Sequence, residues 1–209
     1  ANQPIRLRVR RENRFALRFY SKNGFTAVGS DSEEVTMVRR ARDYDSEAQD
    51  NPSREYRYQF DSVVREKFLK RVEHFWSPGS TCLEIGSHDG SMTQQLLNYF
   101  DEVEVIEPSR EMADTVAMSY GVTVHNFTLE AMPTYKGFKH IFLVHVLEHL
   151  EDPVGSLSKL NSAMDEDAKL YILVPNAFAL SRVIAREMGL IDNEKDVMPG
   201  EAAQGHRIT

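Results

Sequence analysis

An α/β fold, a parallel sheet covered by helices on both faces, is what this sequence predicts over residues 56–209, on three observations. Short apolar runs alternate with stretches of helical length, a glycine-bearing turn joins the first apolar run to the helix after it, and the second run ends on an acid. Strands that alternate with helices are the pattern of crossover units, because a parallel strand needs a long connection to carry the chain back to the start of the sheet.

Phe60, Val64, Phe68, Val72 and Phe75 recur at spacings of three and four, which predicts an amphipathic helix ended by Ser77-Pro78-Gly79. The alternation then reads strand 81–85, helix 91–100, strand 103–106, helix 110–120, strand 122–125, strand 141–144, helix 153–164, strand 170–174 and helix 177–188. Upstream, residues 5–40 read strand, helix, strand, strand. Between the two regions, 41–55 shows no hydrophobic periodicity and contains Asn51-Pro52, the signature of a linker or surface crossing. Three segments are therefore expected: 1–40, a linker at 41–55, and 56–209.

Composition narrows the function. Hydrophobic residues at 41% and charged residues at 27% fit an ordinary globular protein with a packed core. A net charge of −7 argues against nonspecific nucleic-acid binding, which needs a broad basic surface. Arg6, Arg8, Arg10, Arg11, Arg14, Arg18 and Lys22 crowd the start and read as a solvated face. Cys82 is the single cysteine, so an internal disulfide is impossible and a reducing compartment fits better. No apolar run reaches the roughly 18 residues of a membrane span, and the start lacks a signal-peptide core. A cytoplasmic protein without a membrane partner is expected, with its oligomeric state left open. A first residue of Ala1 and an end at Thr209 without an obvious terminus suggest a fragment cut at both ends.

The chemistry gathers at the strand ends. In Glu84-Ile85-Gly86-Ser87-His88-Asp89-Gly90 an apolar strand runs straight into a two-glycine turn and a helix; Gly86 and Gly90 permit positive φ and let the backbone approach a ligand closely. About twenty residues on, strand 103–106 ends at Glu107, where a carboxylate can accept both hydroxyls of a ribose. On these residues the segment resembles the class I, S-adenosylmethionine-dependent methyltransferases, with a Rossmann-like sheet. Their first motif is an acid followed by three alternating glycines, and His88 stands where the middle glycine would be. The resemblance implies that Glu84 and Gly86, Ser87, His88 and Gly90 hold the methionine end of S-adenosylmethionine and that Glu107 holds the ribose. Asn126 follows the third strand, where the family contacts adenine. Met92, Met112 and Met118 read as packing residues.

The run from His140 to Pro153, with His145-Val-Leu-Glu148-His149 and Asp152-Pro153, is similar to the fourth-strand segment of the same superfamily. Its strand-end position makes His145 the first candidate base; His206 is the second. Glu148 and His149 have a plainer alternative, orienting the turn that follows, and two adjacent residues seldom make a complete metal site, so no metal is expected. Leu173-Val174-Pro175-Asn176-Ala177, Ser181-Arg182, Met188 to Ile191, Glu201 and Gly205-His206-Arg207 are similar to methyltransferases of sugar and surface-polysaccharide pathways. The implied acceptor is a small molecule, a sugar or sugar-derived metabolite. The implied strand order is 3-2-1-4-5, with the family's two C-terminal strands missing.

In the first segment, Asn13, Ala16, Phe19-Tyr20 and Gly24-Phe25 resemble the closing part of a GNAT-type N-acetyltransferase, an α+β domain. Its diphosphate-binding loop lies outside this sequence, so acetyl-CoA binding is not expected. Two other functions stay open: a nicotinamide oxidoreductase on the same sheet, against which His88 speaks, and a noncatalytic nucleotide-binding module.

Overall fold

The computed structural model describes residues 4–40, 42–49, 55–77, 79–197, 201 and 206, with the backbone alone at 22 and 55–60. Asn51-Pro52, Pro78, Gly205 and Arg207 lie outside the described residues, as does the side chain of Phe60. The chain divides into two units between Asp43 and Tyr44.

The first unit runs β1 (Ile5–Arg10), α1 (Arg14–Lys22), β2 (Thr26–Ser30) and β3 (Glu34–Arg39), the order the sequence suggests. β3 is central and pairs antiparallel with β1 and β2. Asn13 starts α1: its side-chain oxygen accepts the Ala16 N–H at 3.0 Å, satisfying one of the orphan donors of the first turn. Val9, Phe25 and Met37 form a small core against which Leu7, Leu17, Tyr20 and Val35 pack. The Tyr20 ring meets Phe19 and Phe25 edge-on at 5.4 and 5.3 Å. Arg8 and Arg11 reach exposed partners, Glu34 and Ser30.

The second unit opens with α2 (Tyr44–Ala48) and α3 (Glu55–Val72), then alternates: β4 (Thr81–Ile85), α4 (Ser91–Leu96), β5 (Glu102–Ile106), α5 (Arg110–Tyr120) and β6 (Thr123–His125). It continues with β7 (His140–Val144), α6 (Pro153–Ala163), β8 (Lys169–Leu173) and α7 (Leu180–Glu187). All pairings are parallel, in the order β6-β5-β4-β7-β8, which is the order 3-2-1-4-5 read from the sequence. Successive strand residues face opposite ways. Cys82, Val103, Val105, Phe142 and Tyr171 therefore pack with Leu69, Leu96 and Val116 on one face. On the other face Leu83, Ile85, Ile106, Ile141 and Leu143 pack with Leu129, Tyr135 and Leu160. Burying each such Leu, Ile or Phe contributes roughly 1.5–3 kcal/mol, which makes the two apolar layers the main support of the sheet. β5 lies on one side of β4 and β7 on the other, so the chain switches direction at β4. The crevice at the carboxyl ends of these strands is where such sheets take ligands.

Several local expectations are revised. The segment read as a linker carries α2, whose Ala48 is buried. In the amphipathic helix, Leu69 is the fully buried residue, whereas Phe75 is 49% exposed; Trp76 packs inward instead, on Tyr99, Phe100 and Phe142. The helix expected over 91–100 stops at Leu96, where the Tyr99 and Phe100 N–H groups both return to the Leu96 carbonyl. The helix expected from 177 begins at Leu180, because the Asn176 side chain accepts the Phe178 N–H at 3.0 Å and makes a turn first. Met92 is core, but Met118 is 84% exposed. Among the described residues, no helix is long and apolar enough to cross a membrane.

Candidate active site

The turn after β4 needs both of its glycines, for reasons of packing. Gly86 has φ +78°, and a Cβ there would come within 2.6 Å of Val146 Cγ2. Gly90 has φ +77°, and a Cβ would lie 2.4 Å from the Tyr120 ring. The Cβ direction at Gly90 is thus filled by Tyr120 and Val116 of α5. His88, at the place of the middle glycine, also takes positive φ, +48°. Its ring Nε2 lies 3.2 Å from the Ala48 carbonyl of α2.

Two buried carboxylates bracket this turn. Glu107 ends β5 and is 5% exposed. Its Oε2 accepts the His88 N–H at 2.9 Å and its Oε1 the Ser109 N–H at 2.8 Å, with the Ser87 hydroxyl at 3.5 Å from Oε2. Burial pushes its carboxyl above the usual range, and the backbone donors pull it part of the way back. Oε1 retains a second acceptor site, and the second site on Oε2 is taken by the Ser87 hydroxyl only at the long distance of 3.5 Å. Glu84 is buried more deeply. Thr93 Oγ1 donates to its Oε2 at 2.5 Å, while Oε1 is buried with no hydrogen-bond partner. Burial raises its carboxyl to about 8, opposed by the Thr93 bond and the Arg65 charge. A buried acceptor left unpaired costs about 1–3 kcal/mol.

Sequence reading missed two contributors. Arg65 of α3 donates through Nη1 to Ser91 Oγ beside the turn, and its Nε is buried and unpartnered. Asp45 of α2 accepts the Ser109 hydroxyl at 2.6 Å and the Glu111 N–H at 3.1 Å. These bonds bind α2 across the start of α5, next to Glu107. The Asn126 side-chain amide donates to the Glu107 and Pro108 carbonyls at 2.9 and 3.1 Å and so shapes the turn.

At the end of β7, His145 holds φ +56° and donates its N–H to the Leu173 carbonyl at 2.8 Å. Its Nδ1 lies 3.2 Å from Glu148 Oε1; its Nε2 and Glu148 Oε2 are buried without partners. With Nδ1 donating to the carboxylate, Nε2 carries the lone pair, the tautomer a base needs. The cap on the next helix is Asp152, which accepts the Gly155 N–H at 2.9 Å, so Glu148 and His149 are not spent on that task. His206 stands against His149, ring centroids 4.6 Å apart. Its N–H donates to the Glu201 carbonyl at 3.1 Å, and Glu201 is ion-paired to buried Arg182 at 2.6 Å. His140, at the start of β7, is a core residue whose Nδ1 lies 3.0 Å from Tyr171 OH.

A parallel sheet with this strand order, and two buried acids flanking a glycine turn at its switch point, defines a class I methyltransferase domain. Residues 53–200 match a family described as methyltransferase domain, and the chain belongs to that family. Among solved structures, the DhpI–SAM–HEP complex is 20% identical with a TM-score of 0.52, covering 74% of this chain and 70% of that one. The plantazolicin methyltransferase BpumL, solved with a monoazolic desmethylPZN analog and SAH, is 15% identical with a TM-score of 0.52, covering 73% and 58%. The N-methyltransferase NodS of Bradyrhizobium japonicum WM9 is 14% identical with a TM-score of 0.50, covering 63% and 74%. These identities establish a shared fold. The chain spans 34% of the coclaurine N-methyltransferase structure that it also resembles, and 66% of NodS bound to SAH. No curated protein matches the sequence.

Proposed function

We propose that residues 44–209 bind S-adenosylmethionine across the glycine turn and transfer its methyl group to a small-molecule acceptor. The observation that carries this reading is Glu84: a fully buried carboxylate, one oxygen unpaired, beside the turn of a methyltransferase-family domain. The methionine ammonium is the donor that oxygen lacks, and the unpartnered Arg65 Nε suits the methionine carboxylate. Glu107 receives the ribose hydroxyls, and the turn shaped by Asn126 lies on the adenine side. When bound, S-adenosylmethionine supplies an electrophilic methyl carbon: the acceptor's lone pair forms the new bond as the C–S bond breaks, and the C–S bonding pair stays on sulfur, which becomes a neutral thioether. His145 takes the acceptor's proton on Nε2, while Glu148 steadies the imidazolium through Nδ1. Since the donor is already activated, holding acceptor and methyl in line is the larger task.

The sugar-type acceptor and the GNAT-type identity of residues 1–40 belong to this proposal as well. The first is supported by the likeness of 173–191 to sugar-pathway methyltransferases, the second by the β1-α1-β2-β3 order with Asn13 capping α1 and Tyr20 on it. A titration tests the central reading. S-adenosylmethionine is expected to bind once per chain, and Glu84→Gln to weaken it; unchanged affinity in the folded variant overturns the role of Glu84.

A further inference from the structure

Glu148, His149 and His206 offer one carboxylate oxygen and two imidazole nitrogens, all within 4.8 Å of one another. We propose that these three side chains bind a divalent transition cation of the zinc type at the acceptor side of the cleft. The sequence supplies Glu148 and His149 as a pair, too few for a site. The third donor arrives only through the fold, because the Arg182–Glu201 ion pair and the His206 N–H bond to Glu201 fix His206 against His149. A second observation points to a ligand here: Glu148 is 2% exposed, yet its Oε2 has no hydrogen-bond partner. Its other oxygen faces His145 Nδ1, so the carboxylate has one oxygen for the histidine and one to spare.

The donor set selects the ion. Two imidazoles and a carboxylate suit zinc and its first-row neighbours, and three protein ligands leave a position open, the arrangement of catalytic rather than structural sites. A tetrahedral ion with ligands at about 2.1 Å separates its donors by about 3.4 Å, so the cluster must contract by up to about 1.4 Å. His149 and His206 are only half-buried, and side-chain rotation supplies that contraction.

The site adjoins the cofactor turn. Val146, between His145 and the Leu147–His149 turn, is the residue that crowds Gly86. The role of the ion rests on the methyl-transfer reading: its open position would hold an acceptor oxygen beside the methyl donor and lower the pKa of a bound hydroxyl. The acceptor class is thereby narrowed to molecules with a hydroxyl or paired oxygens able to ligate the ion. The binding site itself does not depend on that reading.

The test is a Zn2+ titration of the metal-stripped 209-residue chain, with the Co2+ absorption spectrum recorded in parallel and S-adenosylhomocysteine titrated separately. One equivalent of Zn2+ should bind, and Co2+ should give the intense visible bands of a low-coordinate nitrogen–oxygen site. Losing even a group that orients a ligand weakens metal binding 10–100-fold, so His206→Ala and His149→Ala should each weaken it by at least about 100-fold. Both variants should keep S-adenosylhomocysteine affinity, which shows them to be folded. No stoichiometric Zn2+ binding, or equal binding by wild type and both variants as for an adventitious surface ion, overturns the site. Zn2+ binding without S-adenosylhomocysteine binding retains the site and removes the methyl-transfer reading; the reverse removes only the metal.

Discussion

Replacing Glu107 separates recognition from packing. Its two oxygens each accept a backbone N–H, from His88 at 2.9 Å and Ser109 at 2.8 Å. Glu107→Ala therefore strips those donors as well as the ribose site. Leaving buried donors unpaired costs about 1–3 kcal/mol, so the melting temperature should fall even without cofactor. Glu107→Gln removes the charge and keeps one carbonyl acceptor, so one of the two backbone N–H bonds survives and the loss of fold stability should be smaller than for Ala. Hydrogen bonds to charged groups contribute roughly 1.5–3 kcal/mol each, so losing the equivalent of one should weaken S-adenosylmethionine about tenfold to several hundredfold. The assay is calorimetric titration of wild type and both variants, at a temperature where unfolding scans show all three folded. A purely structural acid would change affinity only in step with unfolding. Equal dissociation constants in folded wild type and Glu107→Gln would refute the ribose assignment.

Other outcomes follow from the same geometry. Glu84 has its carboxyl raised to about 8 by burial, so the folded protein binds a proton that the unfolded chain has lost; ligand-free stability should fall as pH rises from about 4.5 to 8, and Glu84→Gln should flatten that slope in thermal scans. Bringing an ammonium to Glu84 should lower that pKa again, so S-adenosylmethionine binding near pH 7 should release a proton, read from titrations in buffers of different ionisation enthalpy, and affinity should rise toward pH 8; no proton release contradicts the Glu84–ammonium contact. Gly86→Ala places a Cβ 2.6 Å from Val146 at φ +78° and should cost at least about 1–3 kcal/mol, measured by denaturant unfolding. Arg182→Ala breaks the buried ion pair to Glu201 and should cost about 3–5 kcal/mol, with unchanged stability as the contrary result. His145→Asn should lower the transfer rate by about 10²–10⁴ while cofactor affinity stays level; an unchanged rate removes His145 as the base.

Much of the second unit was legible because its signals are local. The bounds of α5 follow from Ser109, whose hydroxyl accepts the Met112 N–H, and from Gly121, which ends the helix at φ +67°. The start of α6 follows from Asp152 and Pro153 in the same way. Strands such as β7 read clearly because every residue from His140 to Val144 is buried, giving an unbroken apolar run. The glycine turn and its two buried acids, the candidate site, were legible as a pattern where they sit on consecutive residues, at Glu84 to Gly90, and at the strand-end Glu107. What escaped depends on distant residues. α2 has no apolar periodicity, and it is held by Asp45 bonds to Ser109 and Glu111. Arg65 looks like one more charge on a helix until α4 is brought beside it. His206 reads only as a second candidate base in the sequence, because its place against His149, held through Glu201 and Arg182, appears only in the fold.

The central claim, that this crevice takes S-adenosylmethionine, is tested most directly by titrating the chain with S-adenosylhomocysteine and then challenging the complex with NAD. The account predicts one S-adenosylhomocysteine per chain and no displacement by NAD. An absence of binding, or displacement by NAD at comparable concentration, would contradict it.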